Sequence, residues 1–299
     1  MTHRILIWGL LEDPTLHSVF ECLQSTEANV TFVNHAVIHG TRVQVAVDDR
    51  VRYDLSSEST FCQLDCVTAA YLRPYDVRHY ELPATEAARN GVCADPQLTH
   101  QLMNTWAEYS SAKVINRPSA EGTNHSKLYQ ALRIGEGGFL TPPCLVTNDR
   151  DQALAFLGTH GRVIYKSMSS IRSIVKELSA RDLHGIDLGP VLFQQLITGR
   201  QVRVHVVGEQ CFGCAIDCDD VDYRYAPNRR VECSIPPDIA RRCVALSRSL
   251  HLELAGLDLI EAWSGDWYCL EVNTNPGFSY YDTTGERSVA WAVAEALLA

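Results

Sequence analysis

Lysine is the rarest charged residue in this 299-residue chain, present only as Lys113, Lys127, Lys166 and Lys176. Basic residues number 26 against 36 acidic ones, a net charge of −10, so the basic footprint of a non-specific nucleic-acid binder is missing. No apolar run approaches the ~20 residues that span a bilayer. The first apolar stretch, Ile5 to Trp8, stops at Gly9 without a cleavage pattern, which predicts a cytoplasmic protein. A P-loop is absent, as is a Gly-x-Gly-x-x-Gly turn after the first strand, so nucleotide binding cannot rest on either motif.

What is present is ample core and many thiols. Apolar residues make up 46%, enough for two or three domains at this length. The eleven cysteines are an odd count with no secretion signal, which reads as reduced thiols. Cys211 and Cys214 form a CxxC spacing without a second ligand pair, and they read as strand cysteines around a turn at Gly208-Glu209. His35 and His39 stand four apart with no third ligand in view.

Early elements alternate between strand and helix patterns, an α/β arrangement. Ile5–Trp8 reads as a strand, followed by a helix capped by Asp13 with Pro14 at its first position. Strands follow at Val30–Val33, Val43–Val47, Val51–Leu55 and Ala69–Leu72, then a helix from Pro96 and a short strand at Val114–Asn116. The cluster Arg117–Asn124 reads as a linker. Beyond it come helices from Ser126 and from Asn148 or Asp149, then strands at Val163–Lys166 and Val191–Ile197. Ile239, Cys243, Leu246 and Leu250 fall on one helical face, and an Ala-rich helix starts near Ser288.

The most informative stretch runs from Leu257 to Asn273. With Ser264-Gly265 as a two-residue hairpin loop, Asp258 falls directly opposite Glu271 on one face. Asn273 shares that face and lies opposite Gly256, which leaves it room. Opposed carboxylates repel, and a divalent cation between them resolves the conflict. Mg²⁺ takes one or two carboxylates plus substrate phosphates. A solvent-facing polar sheet side is the plain alternative, and a one-residue slip would undo the pairing.

The block Asp258…Glu271-Val272-Asn273-Thr274-Asn275-Pro276-Gly277 resembles the metal-binding end of the ATP-grasp ligases. Upstream pieces resemble the same family in the same order. Lys127 is similar to the lysine that opens the small domain. Lys166 with Ser169-Ser170 resembles the strand lysine and phosphate-covering loop. Gln194-Gln195-Leu196-Ile197 resembles the hinge facing adenine, and Arg203 the arginine aimed at the γ-phosphate. RimK-like glutamate ligases and microviridin-type peptide ligases are the subgroups most resembled. Arg73-Pro74, Cys214–Asp217 and Asp222-Tyr223-Arg224 lean to the latter. Gln201 and Gln195 depart from the family by removing acidic residues near the nucleotide, and Asn275-Pro276-Gly277 departs from the microviridin-type ending.

The resemblance implies an ATP-grasp fold of class α/β (α+β) in three parts: an N-terminal α/β domain over 1–117, a small central domain over 118–192, and a C-terminal antiparallel-sheet domain over 193–299. It implies an ADP-forming ligase that activates a carboxylate as an acyl phosphate and joins it to an amine or hydroxyl. The cofactors implied are ATP and Mg²⁺, as two ions, with Mn²⁺ as the substitute. Asp258, Glu271 and Asn273 would hold the metal, Lys166 and Arg203 the phosphates, and Arg224 a carboxylate or the acyl phosphate. The implied substrate is a peptide or protein, with amino-acid ligation the alternative and a non-catalytic nucleotide-binding regulator the second. A homodimer without nucleic-acid or membrane partners is expected.

Overall fold

The computed structural model describes residues 3–47, 51–57, 60–75, 96–166, 176–178, 189–218, 228–282 and 285–299, the side chains of His39 and His125 apart. Two compact units divide it. One comprises 1–121 with 252–254 and 277–299, the other 122–251 with 255–276.

In the first unit β1 (Arg4–Gly9), α1 (Pro14–Gln24), β2 (Asn29–Asn34), β3 (Arg42–Val47), β4 (Val51–Ser56), β5 (Phe61–Gln63), β6 (Ala69–Arg73), α2 (Pro96–Tyr109) and β7 (Lys113–Ile115) follow one another. Asp13 caps α1 by accepting from the Thr15 N–H at 2.8 Å, with Pro14 at the first position, as the sequence predicts. The strands β2-β1-β6-β7 form a wholly parallel sheet. Side chains alternate along β1. Leu6 and Trp8 enter a core with Tyr53, Leu55, Met103 and Trp106, contributed by the antiparallel β3-β4-β5 layer and α2. Ile5 and Ile7 are buried on the other side.

The second unit runs α3 (Lys127–Glu136), β8 (Cys144–Thr147), α4 (Arg150–His160), β9 (Val163–Lys166), β10 (Lys176–Glu177), β11 (Val191–Gln195), β12 (Gly199–Val207), β13 (Gln210–Asp217), β14 (Arg229–Cys233), α5 (Pro237–Ser249), β15 (Leu254–Ala262) and β16 (Trp267–Asn273). The chain ends in α6 (Ser288–Leu298), which packs on α1 within the first unit. The expected linker is a 3₁₀ turn over Pro118–His125. Ser126 and Asp149 cap α3 and α4 with their side chains, each satisfying amide groups that the first helical turn leaves open.

Two sheets build this unit, in the orders β10-β9-β11-β8 and β14-β13-β12-β15-β16. The first buries Val163 and Phe193 against Ala153 of α4 and Leu178. Its strand β11 ends at Gln195, two residues before the end expected from the sequence. Cys211 and Cys214 lie in β13, and burial pushes the Cys211 thiol up to about 11.

The closing hairpin differs from expectation in its turn. The Gly265 N–H bonds to Ala262 O at 2.8 Å, and Ala262 N–H to Asp266 O at 2.9 Å, so the loop has three residues, Trp263 to Gly265. Gly265 sits at φ +89°, a conformation that a side chain would disfavour. A three-residue loop alone would shift the register by one. A β-bulge between Asp258 and Leu259 shifts it back. Asp258 therefore does pair with Glu271, and Gly256 with Asn273.

Candidate active site

On the β9–β11–β8 sheet, directly opposed residues share a face. Lys166 lies opposite Leu192, and Gln194 opposite Cys144 and Ile164. Leu192 and Gln194 are two apart on one strand, so Lys166, Gln194 and Cys144 share one side of the sheet. Desolvation raises the Cys144 thiol above its ordinary value, and the Lys166 ammonium works against that rise. Gln194 is 8% exposed, and its Oε1 has no hydrogen-bond partner among the described residues. A buried acceptor left in that state costs free energy until a donor arrives.

The hinge after it is partly spoken for. Gln195 N–H bonds to Pro143 O and Leu196 N–H to Arg162 O, both at 2.9 Å. The Ile197 N–H has no partner among the described residues. The end of this strand thus carries one backbone donor and one side-chain acceptor without partners among the described residues.

On the second sheet the strand period places Arg203 and His205 on one face of β12. Arg203 is 4% exposed, and its Nη1 donates to Asp258 Oδ1 at 2.8 Å. Its guanidinium lies over Gly256. A Cβ there would fall 2.1 Å from Nη2 and 2.6 Å from Cζ. The room expected for Asn273 is thus taken by Arg203. Asn273 instead accepts the Asn275 N–H at 2.9 Å, a local turn that ends the strand.

Asp258 and Glu271 face each other across β15 and β16. Glu271 has no hydrogen bond or ion pair through its carboxylate among the described residues. Two carboxylates and an amide oxygen form a hard, oxygen-only donor set, which fits Mg²⁺ completed by phosphate oxygens. Among the described residues no group of three or more His, Cys, Asp or Glu side chains is disposed to hold a metal ion, so the protein alone offers no full cage.

Sequence reasoning missed what holds this strand. Gln130, 4% exposed on α3, donates its amide to Val272 O at 2.7 Å and accepts the Val272 N–H at 3.0 Å. Val272 lies between Glu271 and Asn273 on the sheet's edge, and Gln130 fills both of its backbone groups. Nearer the turn, Cys269 N–H reaches Leu140 O at 2.9 Å. The contacts are long-range and leave no local pattern; the one signal was a polar residue on the apolar face with Ile134. Lys127 opens the same helix, where the helix dipole disfavours a cation and an anionic ligand would be held by both. Ser169, Ser170 and Arg224 lie outside the described residues.

No family model matches the chain. Human β-citrylglutamate synthase B is 27% identical over 173 residues, covering 55% of this chain and 42% of that protein. The chain therefore matches less than half the length of that curated relative. A Chryseobacterium gregarium RiPP-associated ATP-grasp ligase, solved with ADP and a leader and core peptide, superposes with a TM-score of 0.83 at 18% identity. That likeness covers 99% of this chain and 96% of the other. The ATP-grasp ligase PsnB, solved with a phosphomimetic variant of a minimal precursor, Mg and ADP, gives 0.82 at 23% identity, covering 100% and 98%. The chain has the ATP-grasp fold.

Proposed function

We propose that this chain is an ADP-forming ligase that activates a carboxylate with ATP and transfers it to an amine or hydroxyl of a peptide. The observation that carries the reading is Arg203 seated on Asp258 at 2.8 Å, with Glu271 directly across the hairpin. It gathers a phosphate-type donor and two carboxylate ligands on one sheet. The same arrangement supports the roles assigned to Arg203, Asp258, Glu271 and Asn273; Lys166 lies on the other sheet, and its role belongs to the proposal through the sequence resemblance. The three-part division at 117/118 and 192/193 rests on that resemblance alone, and its second boundary falls within β11.

Each residue then has a defined task. Gln194 Oε1 and the Ile197 N–H meet the adenine edge. Lys166 and Lys127 hold phosphate oxygens as point charges, and Arg203 grips the terminal phosphoryl group in its planar fork. Mg²⁺, as two ions with Mn²⁺ as substitute, would be held by Asp258, Glu271 and Asn273 and would neutralise charge on the transferring phosphate. Arg224 and the Ser169-Ser170 loop belong to the proposal through the sequence resemblance alone.

A peptide substrate is favoured by coverage. The solved structure with a leader and core peptide matches this chain over nearly all of both lengths, whereas the human synthase matches over about half of this chain. The reading carries with it a cytoplasmic homodimer; the acidic charge supports the exclusion of nucleic acid. Among the described residues no helix is long and apolar enough to cross a membrane. A second reading, ligation of small carboxylates to amino acids, is favoured by the 27% identity to that synthase.

Mg-ATP is added with pooled amino acids, then with an Asp/Glu- and Lys/Ser/Thr-containing peptide library, and ADP and product masses are followed. One ADP and one phosphate released, with a product lighter by one water, per amide or ester bond formed establishes the first reading. ADP that needs only amino acids establishes the second. Neither ADP nor thermal stabilisation by Mg-ATP would overturn both.

A further inference from the structure

His205 is 1% exposed in the middle of β12, two residues from Arg203 and on the same face. On the opposite face of the strand Val202, Val204 and Val206 are all buried. An imidazole is an expensive occupant of such a place unless its nitrogens are bonded. Arg203 Nε donates to His205 Nε2 at 3.3 Å. To accept there, the ring must be neutral with its proton on Nδ1.

Among the described residues, three features therefore hold Arg203. Asp258 takes Nη1, His205 takes Nε, and Gly256 provides a floor on which no side chain intrudes. The three are not equivalent. Asp258 is an anion bonded to a donor that a phosphate would seek, so its contact competes with the nucleotide. His205 is neutral and sits at Nε, away from Nη1. Its contact survives when the outer donor changes partner.

We propose that His205 is the positioning residue of Arg203, fixing the plane of the guanidinium so that it meets the terminal phosphate of ATP in one orientation. This rests on the reading of Arg203 as the γ-phosphate arginine. A planar fork gains its advantage over a point charge only when its plane is set in advance. A strand arginine with four rotatable side-chain bonds has no such plane unless a neighbour supplies it.

The test measures affinity for Mg-ADP and for Mg with a non-hydrolysable ATP analogue, by calorimetry on the full chain. Arg203→Lys should weaken the analogue and spare ADP. His205→Leu removes the acceptor at similar volume and should weaken the analogue roughly tenfold, with ADP within about twofold. His205→Gln, whose Oε1 can accept from Nε, should restore most of the loss. If His205→Leu does not fold, His205→Asn, too short to reach Nε, takes its place. Normal analogue binding by the His205 variants beside an impaired Arg203→Lys overturns the inference alone. Equal weakening of ADP and analogue, or no rescue by Gln, shows a merely structural role and overturns it as well. An Arg203→Lys protein that still discriminates as wild type removes the underlying reading.

Discussion

Asp258 and Glu271 are a like-charged pair on paper, but the two carboxylates are not in the same state. Asp258 has a guanidinium at 2.8 Å, and Glu271 has no ion pair among the described residues. Arg203 thus offsets part of the repulsion that the sequence alone implies, and the proposed role of Glu271 is that of a metal ligand. Glu271→Gln should lower ATP turnover on the order of 10²-fold or more. It should leave the unfolding free energy of the nucleotide-free chain, read by urea titration, within about 0.5 kcal/mol of wild type. Full turnover in that variant would take Glu271 out of the site. Gly256 gives a second residue-scale prediction. In Gly256→Ala the new Cβ would stand 2.1 Å from Arg203 Nη2. It would also stand 2.7 Å from Pro276 Cβ, and a proline ring yields less readily than the far end of a flexible side chain. Arg203 should therefore leave its seat, and affinity for the Mg-bound ATP analogue should fall about tenfold, with some loss of stability from the Pro276 contact. An unchanged affinity would mean that the seat has no bearing on phosphate binding.

At the scale of elements, the hairpin shows how sequence and structure can agree by two separate routes. The pairing of Asp258 with Glu271 was legible because both strands are β-rich and the carboxylates stand at matching distances from a Gly turn. The loop, however, has three residues, and a bulge at Asp258/Leu259 compensates. Bulges leave little trace in a single sequence, since any residue can be the extra one. Helix caps at Asp13 and Asp149 were legible because capping is local chemistry. The hold of α3 on β16 was not, because Gln130 and Val272 are 142 positions apart. His205 left a weak trace, its spacing of two from Arg203. The α3–β16 contact gives the element-scale prediction. Gln130→Leu leaves the N–H and C=O of Val272 buried without partners and should cost about 2–3 kcal/mol in urea unfolding. Gln130→Glu keeps both a donor and an acceptor only while protonated, so its cost should be small at low pH and grow as pH rises. A Leu variant as stable as wild type would show that water or a neighbouring chain segment fills the edge instead.

For the molecule as a whole, two buried groups of the first unit shape the response to pH between 4 and 7. His35 is fully buried in the first unit, its ring packed on Trp8 and His100 with centroids 5.3 and 5.8 Å away. Burial, and next the neighbouring His100, lower its pKa from 6.5 to about 4. Between those values the unfolded chain takes up a proton that the native state refuses. Its contribution is therefore complete above pH 6.5 and is lost as pH falls toward 4, about 3 kcal/mol over the whole window. Glu121 acts with the opposite sign. Burial raises its pKa from 4.5 to about 7, against the pull of Arg73. The native state keeps a proton that the unfolded chain releases, so this contribution is present below pH 4.5 and is lost as pH rises through 7. The windows overlap between pH 4.5 and 6.5, and there the two slopes oppose each other. Each single variant should expose the slope that the other group conceals. Glu121→Gln should make stability climb with pH between 4.5 and 6.5, and His35→Phe should make it decline between 4.5 and 7. Urea midpoints by circular dichroism at half-unit steps of pH would read both. Two variants that keep the wild-type profile would mean that neither group changes its protonation on folding, and that the acid limit of this fold is set by its many surface carboxylates.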